Sequence, residues 1–149
     1  MMVYTGRHTY LFETGKWNAI GTYFDENGIP VNVIGESSME IQQKQWILKG
    51  FMEIQLEEPV KIFNSYHIKP FEKDKDYTYW VSENPALGKL MGRFTVVNDT
   101  IISQYHSEDR KYSGTEILLF IDDDQYQNWG VVYEDDRKMS SWEVMLERI

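Results

Sequence analysis

The sequence predicts an all-β fold in which about eight to ten antiparallel strands close into an up-and-down barrel. Turn residues recur at short intervals, and the runs between them are rich in β-branched and aromatic residues. Trp, Tyr and Phe make up 15% of the 149 residues, and such residues favour pleated, half-buried strands. A sustained 3.6-residue apolar period is absent, so we expect at most two short helices, near Thr9–Glu13 and Asn84–Leu90.

Composition narrows the class of protein further. The length predicts a single domain spanning residues 1–149. The absence of cysteine excludes disulfides and thiolate metal sites, and the net charge of −9 disfavours nucleic acid as a partner. No apolar run is long enough to span a membrane, and Met1–Gly15 lacks an apolar signal core, so we expect a cytoplasmic protein.

The register of the second half follows from its short turns. A two-residue loop at Asn98-Asp99 pairs Phe94 with Ser103, and a four-residue loop at Glu108–Lys111 pairs Ser103 with Glu116. Four-residue loops at Asp122–Gln125 and Asp135–Lys138 extend this register to the last strand. The predicted inward face contains Phe94, Ile101, Tyr105, Leu118, Phe120, Trp129, Val131, Trp142, Val144 and Leu146.

The same register turns Ile117, Leu119 and Ile121 outward. An outward apolar row is expected to be covered by the N-terminal segment or by another chain. A homodimer or other interaction module is therefore one hypothesis for this protein.

The first half is only partly determined by its turns. A loop at Gln42–Gln45 pairs Ile41 with Trp46, which places Met39, Leu48, Met52 and Ile54 on the same face. The strand containing His67 has two readings. A four-residue loop after Leu56 turns His67 inward beside Phe63 and Ser65, and a five-residue loop turns it outward.

Gly15-Lys16-Trp17 resembles the Gly-x-Trp that opens the first barrel strand of calycins, the superfamily of lipocalins and fatty-acid-binding proteins. In that superfamily a basic residue near the last strand packs across the Trp, and the resemblance makes Arg148 the candidate here. The wider pattern, from Asn64-Ser65-Tyr66 through Trp80 to Trp142, is similar to small bacterial lipocalin-like proteins. The resemblance implies a lipocalin-like barrel, but it brings no catalytic motif.

Glu116 is the charged side chain that the predicted register turns into the core of the second half. Ser103 is expected opposite it, with Tyr105 diagonal and within hydrogen-bonding reach. A desolvated carboxyl has a raised pKa, so it is either a structural group satisfied by these hydroxyls, a ligand anchor or a general acid–base. The other predicted ligand-binding residues are Trp46, His67, Trp129, Tyr133 and Trp142.

Three functions remain open on the sequence alone. The first is binding of a small, largely apolar or aromatic ligand inside the barrel, without catalysis. The second is an isomerase, lyase or hydrolase that uses Glu116, and the third is the interaction module. The sequence assigns no catalytic residue, no metal site and no cofactor, although haem binding through an inward His67 is a minor alternative.

Overall fold

The computed structural model describes residues 7–149, so the first six residues of the segment Met1–Gly15 lie outside the described part. Ten antiparallel strands form one closed barrel in which each strand pairs with its sequence neighbours and β1 pairs with β10. The strands are β1 Gly15–Phe24, β2 Pro30–Ile41, β3 Trp46–Ile54, β4 Val60–Ile68, β5 Tyr77–Asn84, β6 Gly88–Val97, β7 Thr100–Ser107, β8 Tyr112–Asp122, β9 Gln125–Glu134 and β10 Arg137–Arg148.

The segments expected to be helical form turns instead. In the first, the amides of Phe12 and Glu13 both donate to the Thr9 carbonyl, which makes one turn that does not continue. In the second, the Asn84 side chain accepts hydrogen bonds from the amides of Ala86 and Leu87 and so shapes a tight loop between β5 and β6. Between residues 7 and 149, no helix is long and apolar enough to cross a membrane.

The predicted register is confirmed for three hairpins. Phe94 pairs with Ser103 across β6 and β7, and Ser103 pairs with Glu116 across β7 and β8. Ile41 pairs with Trp46 across β2 and β3. Asn98 has a positive φ of 52°, which fits the two-residue turn predicted there.

The predicted register is wrong by one residue on both sides of β9. Glu116 pairs with Gly130 instead of Val131, and Trp142 also pairs with Gly130. Each predicted four-residue loop is in fact a two-residue turn beside a one-residue bulge. In the β8–β9 hairpin the bulge at Ile121 precedes the turn, and in the β9–β10 hairpin the bulge at Met139 follows it. Because the two errors cancel, Trp142, Val144 and Leu146 still face inward as predicted.

This correction turns the predicted inward residues of β9 to the outside. Trp129 is 37% exposed and Tyr133 is 38% exposed, and Val131 lies on the same outer face. The residues that β9 sends inward are Tyr126, Asn128, Gly130 and Val132.

His67 faces outward, as in the second of its two readings, although the five-residue loop follows Ile54 and not Leu56. Ile54 pairs with Val60, so five residues connect β3 to β4 and His67 points outward. Its Nδ1 lies 2.9 Å from Nε2 of Gln45 on the exposed surface. An inward His67, and with it haem binding through that residue, does not fit this geometry.

One end of the barrel is closed by the N-terminal segment before β1. Trp17 is 1% exposed, and the Arg148 guanidinium lies over its ring at 5.1 Å, which confirms the packing implied by the calycin resemblance. Arg148 also pairs with Glu13 and Asp124. These contacts join the N-terminal segment, the first strand, the last strand and the β8–β9 turn. We call residues 7–14, which close this end of the barrel, the plug.

His8 joins the plug to the β6–β7 turn and to β9. Its Nε2 lies 2.7 Å from the Asn98 carbonyl oxygen, and its Nδ1 lies 2.7 Å from the Tyr126 hydroxyl. Because the carbonyl can only accept, Nε2 carries the proton and Nδ1 accepts from Tyr126. Burial lowers the pKa of His8 from its ordinary value of 6.5, so the folded protein holds it neutral.

Replacing His8 by glutamine is expected to cost about 1–2 kcal/mol of stability at pH 7.5, because two buried hydrogen bonds are disturbed. This deficit should shrink as the pH falls below 6.5. The unfolded wild-type chain then binds a proton at His8 that the folded protein resists, whereas His8→Gln has no such proton. Urea unfolding of both proteins between pH 5 and 7.5 measures the difference, and a deficit that grows towards pH 5 would contradict the assignment.

Candidate ligand site in the barrel interior

The barrel is hollow between its plug and its opposite end. A cavity of about 280 Å³ extends from Tyr10 of the plug to Ala86 and Leu87 in the β5–β6 loop. This volume lies at the lower end of the range of small-molecule sites. Its walls are mainly apolar and include Ala19, Leu48, Met52, Ile54, Ile62, Leu90, Val132, Trp142, Val144 and Leu146.

Pairs of glycine and aromatic residues keep the interior open. Gly92, Gly114 and Gly130 each face an aromatic residue on the neighbouring strand, namely Trp80, Tyr105 and Trp142. In all three pairs a Cβ on the glycine would overlap atoms of the facing ring. The rings therefore lie flat over the glycines, against the wall, and the centre of the barrel remains free for a ligand.

Glu116 lines this cavity from the middle of β8. Neither Ser103 nor Tyr105, the partners expected from the sequence, is hydrogen-bonded to it, and the polar side chain that acts on its carboxyl is Asn128 of β9. Asn128 is held in turn, because its Oδ1 accepts from Trp142 Nε1 at 3.1 Å and its Nδ2 donates to the Ile117 carbonyl at 3.1 Å. Desolvation by burial outweighs the Asn128 hydrogen bond and raises the pKa of Glu116 from 4.5 to about 7.

Three tyrosines from three different segments line the same cavity as the carboxyl. Tyr10 comes from the plug, Tyr66 from β4 and Tyr105 from β7, and all three line the cavity. Burial raises the pKa of each phenol, and the charge of Glu116 raises it further. Tyr10 is bonded to Ser37 Oγ at 3.2 Å. The hydroxyls of Tyr66 and Tyr105 make no hydrogen bond with a described residue, so both are available to a ligand.

The cavity wall carries an acid without a matching cation. Among residues 7–149, the only Lys, Arg or His bordering the cavity is Lys49. Lys49 alternates with the inward residues Leu48 and Gly50, and its side chain is exposed on the outer face. Glu36 borders the cavity in the same way, beside Gly50. Glu116 is thus an unpaired carboxyl in a cavity whose other polar groups are neutral.

The structure brings together only part of the predicted site. Glu116, Tyr105 and Trp142 line the cavity; Ser103 is buried opposite Glu116 but does not line it. Trp46 packs on Phe12 and Phe71 near the plug, away from the carboxyl. The remaining three, His67, Trp129 and Tyr133, lie on the outside.

Sequence reasoning missed Tyr10, Tyr66 and Asn128. The five-residue loop after Leu56 that the sequence left open turns His67 outward and hence Tyr66 inward, so the signal was present in that alternative. Asn128 was missed because the predicted register of β9 was wrong by one residue, which turned Asn128 outward. Tyr10 had no signal, because it precedes β1 and its position depends on the plug.

Ile117 and Ile121 of the predicted outward row on β8 are exposed, at 36% and 46%, whereas Leu119 is half-buried. In the described part of the N-terminal segment, Arg7 and His8 pack on Phe120 at the barrel end. Binding of another chain to this row stays a prediction.

Comparison with known proteins identifies the fold but no family. No protein-family profile matches the chain, and no curated protein matches its sequence. Among solved structures, the chain is similar to the S-type phycobiliprotein lyase CPES from Guillardia theta, with a TM-score of 0.70 and 8% identity. The match covers 99% of this chain and 96% of that chain. The fold is therefore a lipocalin-like barrel over essentially the whole chain.

Proposed function

We propose that this protein binds a small, largely apolar ligand inside the barrel and holds it by a hydrogen bond to Glu116. The observation that carries the proposal is a hollow lumen whose apolar wall is interrupted by one buried carboxyl. A few convergent polar groups in an otherwise apolar cavity are typical of small-molecule sites. The tyrosine hydroxyls of Tyr66 and Tyr105 provide further contacts beside the carboxyl.

The arrangement of Glu116 supports a binding role better than a purely structural one. A structural glutamate would be satisfied by several donors, whereas Asn128 is the one polar side chain that acts on this carboxyl, and the carboxyl borders empty space. The Asn128 amide, which acts on the carboxyl, is itself fixed by hydrogen bonds to Trp142 and to the β8 backbone. A ligand that enters the lumen meets a prepositioned acceptor, which lowers the ordering cost of binding.

The neutral fluorescent amine N-phenyl-1-naphthylamine tests the proposal, because its emission rises in apolar surroundings. We expect saturable binding with one site per chain, and quenching of tryptophan emission because Trp142 lines the cavity. Ala19→Leu adds bulk inside the lumen and should weaken binding roughly ten-fold. Glu116→Gln should keep the fold and weaken binding of the N–H donor by roughly ten-fold as well.

Asn18→Leu is the matched control, since Asn18 is the adjacent residue of β1 and is exposed on the outer face. It should bind the probe like the wild type. Equal binding by Ala19→Leu and Asn18→Leu would place the probe outside the lumen and contradict the proposal. The acid–base alternative predicts instead a turnover that follows ionisation near pH 7 and disappears in Glu116→Gln.

A further inference from the structure

We infer that the interior site selects ligands whose polar group is a nitrogen that donates hydrogen bonds, an amine or an N–H heterocycle, and rejects carboxylates such as fatty acids. This inference rests on the proposed binding function and adds the chemical class of the ligand. It follows from the set of polar groups that the barrel turns inward.

The first argument is the balance of acceptors and cations. An anionic ligand in a buried site needs a cation or several donors, since an unpaired buried charge is costly. Between residues 7 and 149, the cavity offers no inward Lys, Arg or His. Instead a ligand carboxylate would lie beside Glu116, and two neighbouring carboxyls cannot both ionise without mutual repulsion.

The second argument is the geometry around the acid. Among the described residues no side chain other than Asn128 acts on the carboxyl by hydrogen bonding, so acceptor capacity remains on its oxygens. Tyr66 and Tyr105 make no hydrogen bond with a described residue, and each hydroxyl can accept from a second N–H. A ligand nitrogen with two or three hydrogens thus meets one carboxylate and two phenol acceptors in the lining of a single cavity.

The third argument is the charge of the whole chain. Its net charge of −9 produces a negative potential that attracts cations to the surface and repels anions. Both the approach to the barrel and the interior site thus favour the same class of ligand.

Three probes with one ring system and different polar groups test the inference: 1-naphthalenemethylamine, 1-naphthalenemethanol and 1-naphthoic acid. Each is titrated at pH 8 into the protein loaded with N-phenyl-1-naphthylamine, and its displacement of that probe is measured. We expect the amine to bind roughly ten- to a hundred-fold more tightly than the alcohol, as for a hydrogen bond between charged groups. The acid should bind more weakly than the alcohol.

Glu116→Gln separates the role of the carboxyl from the shape of the cavity. In this variant the amine should lose its advantage, while the affinity of the alcohol stays within about three-fold of wild type. The amine's affinity for the wild type should also fall between pH 8 and pH 5.5, because Glu116 becomes protonated. The groups that face it, Tyr10, Tyr66, Tyr105 and Asn128, do not change charge in this range.

The outcomes separate a failure of the inferred ligand class from a failure of the proposed binding function. If the acid displaces the probe as well as the amine does, the inferred class is wrong and lumen binding stands. The class is also wrong if the amine keeps its advantage in Glu116→Gln. If none of the three displaces N-phenyl-1-naphthylamine from the wild type, the inferred class is wrong, and only a failure of N-phenyl-1-naphthylamine itself to bind in the lumen would overturn the proposed function.

Discussion

Replacing Glu116 by glutamine is expected to increase the free energy of unfolding of the ligand-free protein by about 3 kcal/mol at pH 8. Burial raises the pKa of this carboxyl from 4.5 to about 7, so ionising it in the folded protein is unfavourable. Each tenfold change in proton affinity corresponds to about 1.4 kcal/mol. Glutamine has the same shape, stays uncharged and can keep a hydrogen bond to Asn128.

The sign of the pH dependence follows from the same shift. Below pH 4.5 the carboxyl is protonated in both the folded and the unfolded chain, and the wild type has its full stability. Between pH 4.5 and about 7 the unfolded chain releases the proton while the folded protein keeps it, so stability falls as the pH rises. Above about pH 7 the carboxyl is ionised in both the folded and the unfolded chain, and the wild type loses no further stability through this group. The advantage of Glu116→Gln should therefore be absent at pH 4 and maximal at pH 8.

Urea unfolding at pH 4, 6 and 8 measures this advantage directly. Glu147→Gln is the matched control, because Glu147 is exposed on the outer face of β10 and its substitution should leave the stability nearly unchanged. A Glu116→Gln protein that is less stable than the wild type at pH 8 would contradict the unfavourable burial of the charge. It would indicate that the ionised carboxyl makes stabilising hydrogen bonds.

Gly130→Ala is expected to destabilise the barrel by about 3 kcal/mol, at the upper end for an overpacked core. Gly130 faces Trp142 across β9 and β10, and a Cβ would overlap the six-membered part of the indole ring. The ring can escape only into the cavity, and doing so stretches the hydrogen bond from Trp142 to Asn128. The same substitution should therefore also reduce binding of N-phenyl-1-naphthylamine.

Thermal or urea unfolding of Gly130→Ala should be compared with Gly15→Ala. A Cβ on Gly15, in the first position of β1, would meet nothing within 4 Å. That control should be as stable as the wild type or slightly more so. Combining Gly130→Ala with Trp142→Leu should cost much less than the sum of the two single changes, since the clash is then removed. Simple additivity of the two changes would show that the ring does not constrain Gly130.

The success of the predicted register depended on turn chemistry. Asn98-Asp99 is a turn that residue type alone defines, because asparagine tolerates a positive φ, and every pair from Leu90–Ser107 to Val97–Thr100 follows from it. The acidic turns around β9 do not reveal their bulges, because Asp122–Gln125 suits a four-residue loop as well as a two-residue turn. One extra residue then turns a whole strand over, which is why Trp129 and Tyr133 were assigned to the wrong face.

The hollow interior depends on contacts that no single strand contains. Trp80, Tyr105 and Trp142 would fill the lumen if their rings pointed to its centre, and a count of aromatic residues cannot exclude that. They lie along the wall because each faces a glycine on the next strand, and that pairing exists only after the register is set.

By itself, the sequence determined an antiparallel barrel with Glu116 facing inward, because side-chain alternation and turn chemistry are local properties of the chain. Only the tertiary structure decided that Glu116 shares a cavity with Asn128 and three tyrosines, since these residues come from four segments far apart in the chain. Tertiary structure also decided that the space beside the carboxyl is empty. The physical reason is that a pKa and a cavity both depend on everything packed around a group, whereas a strand's pattern depends only on its neighbours in sequence.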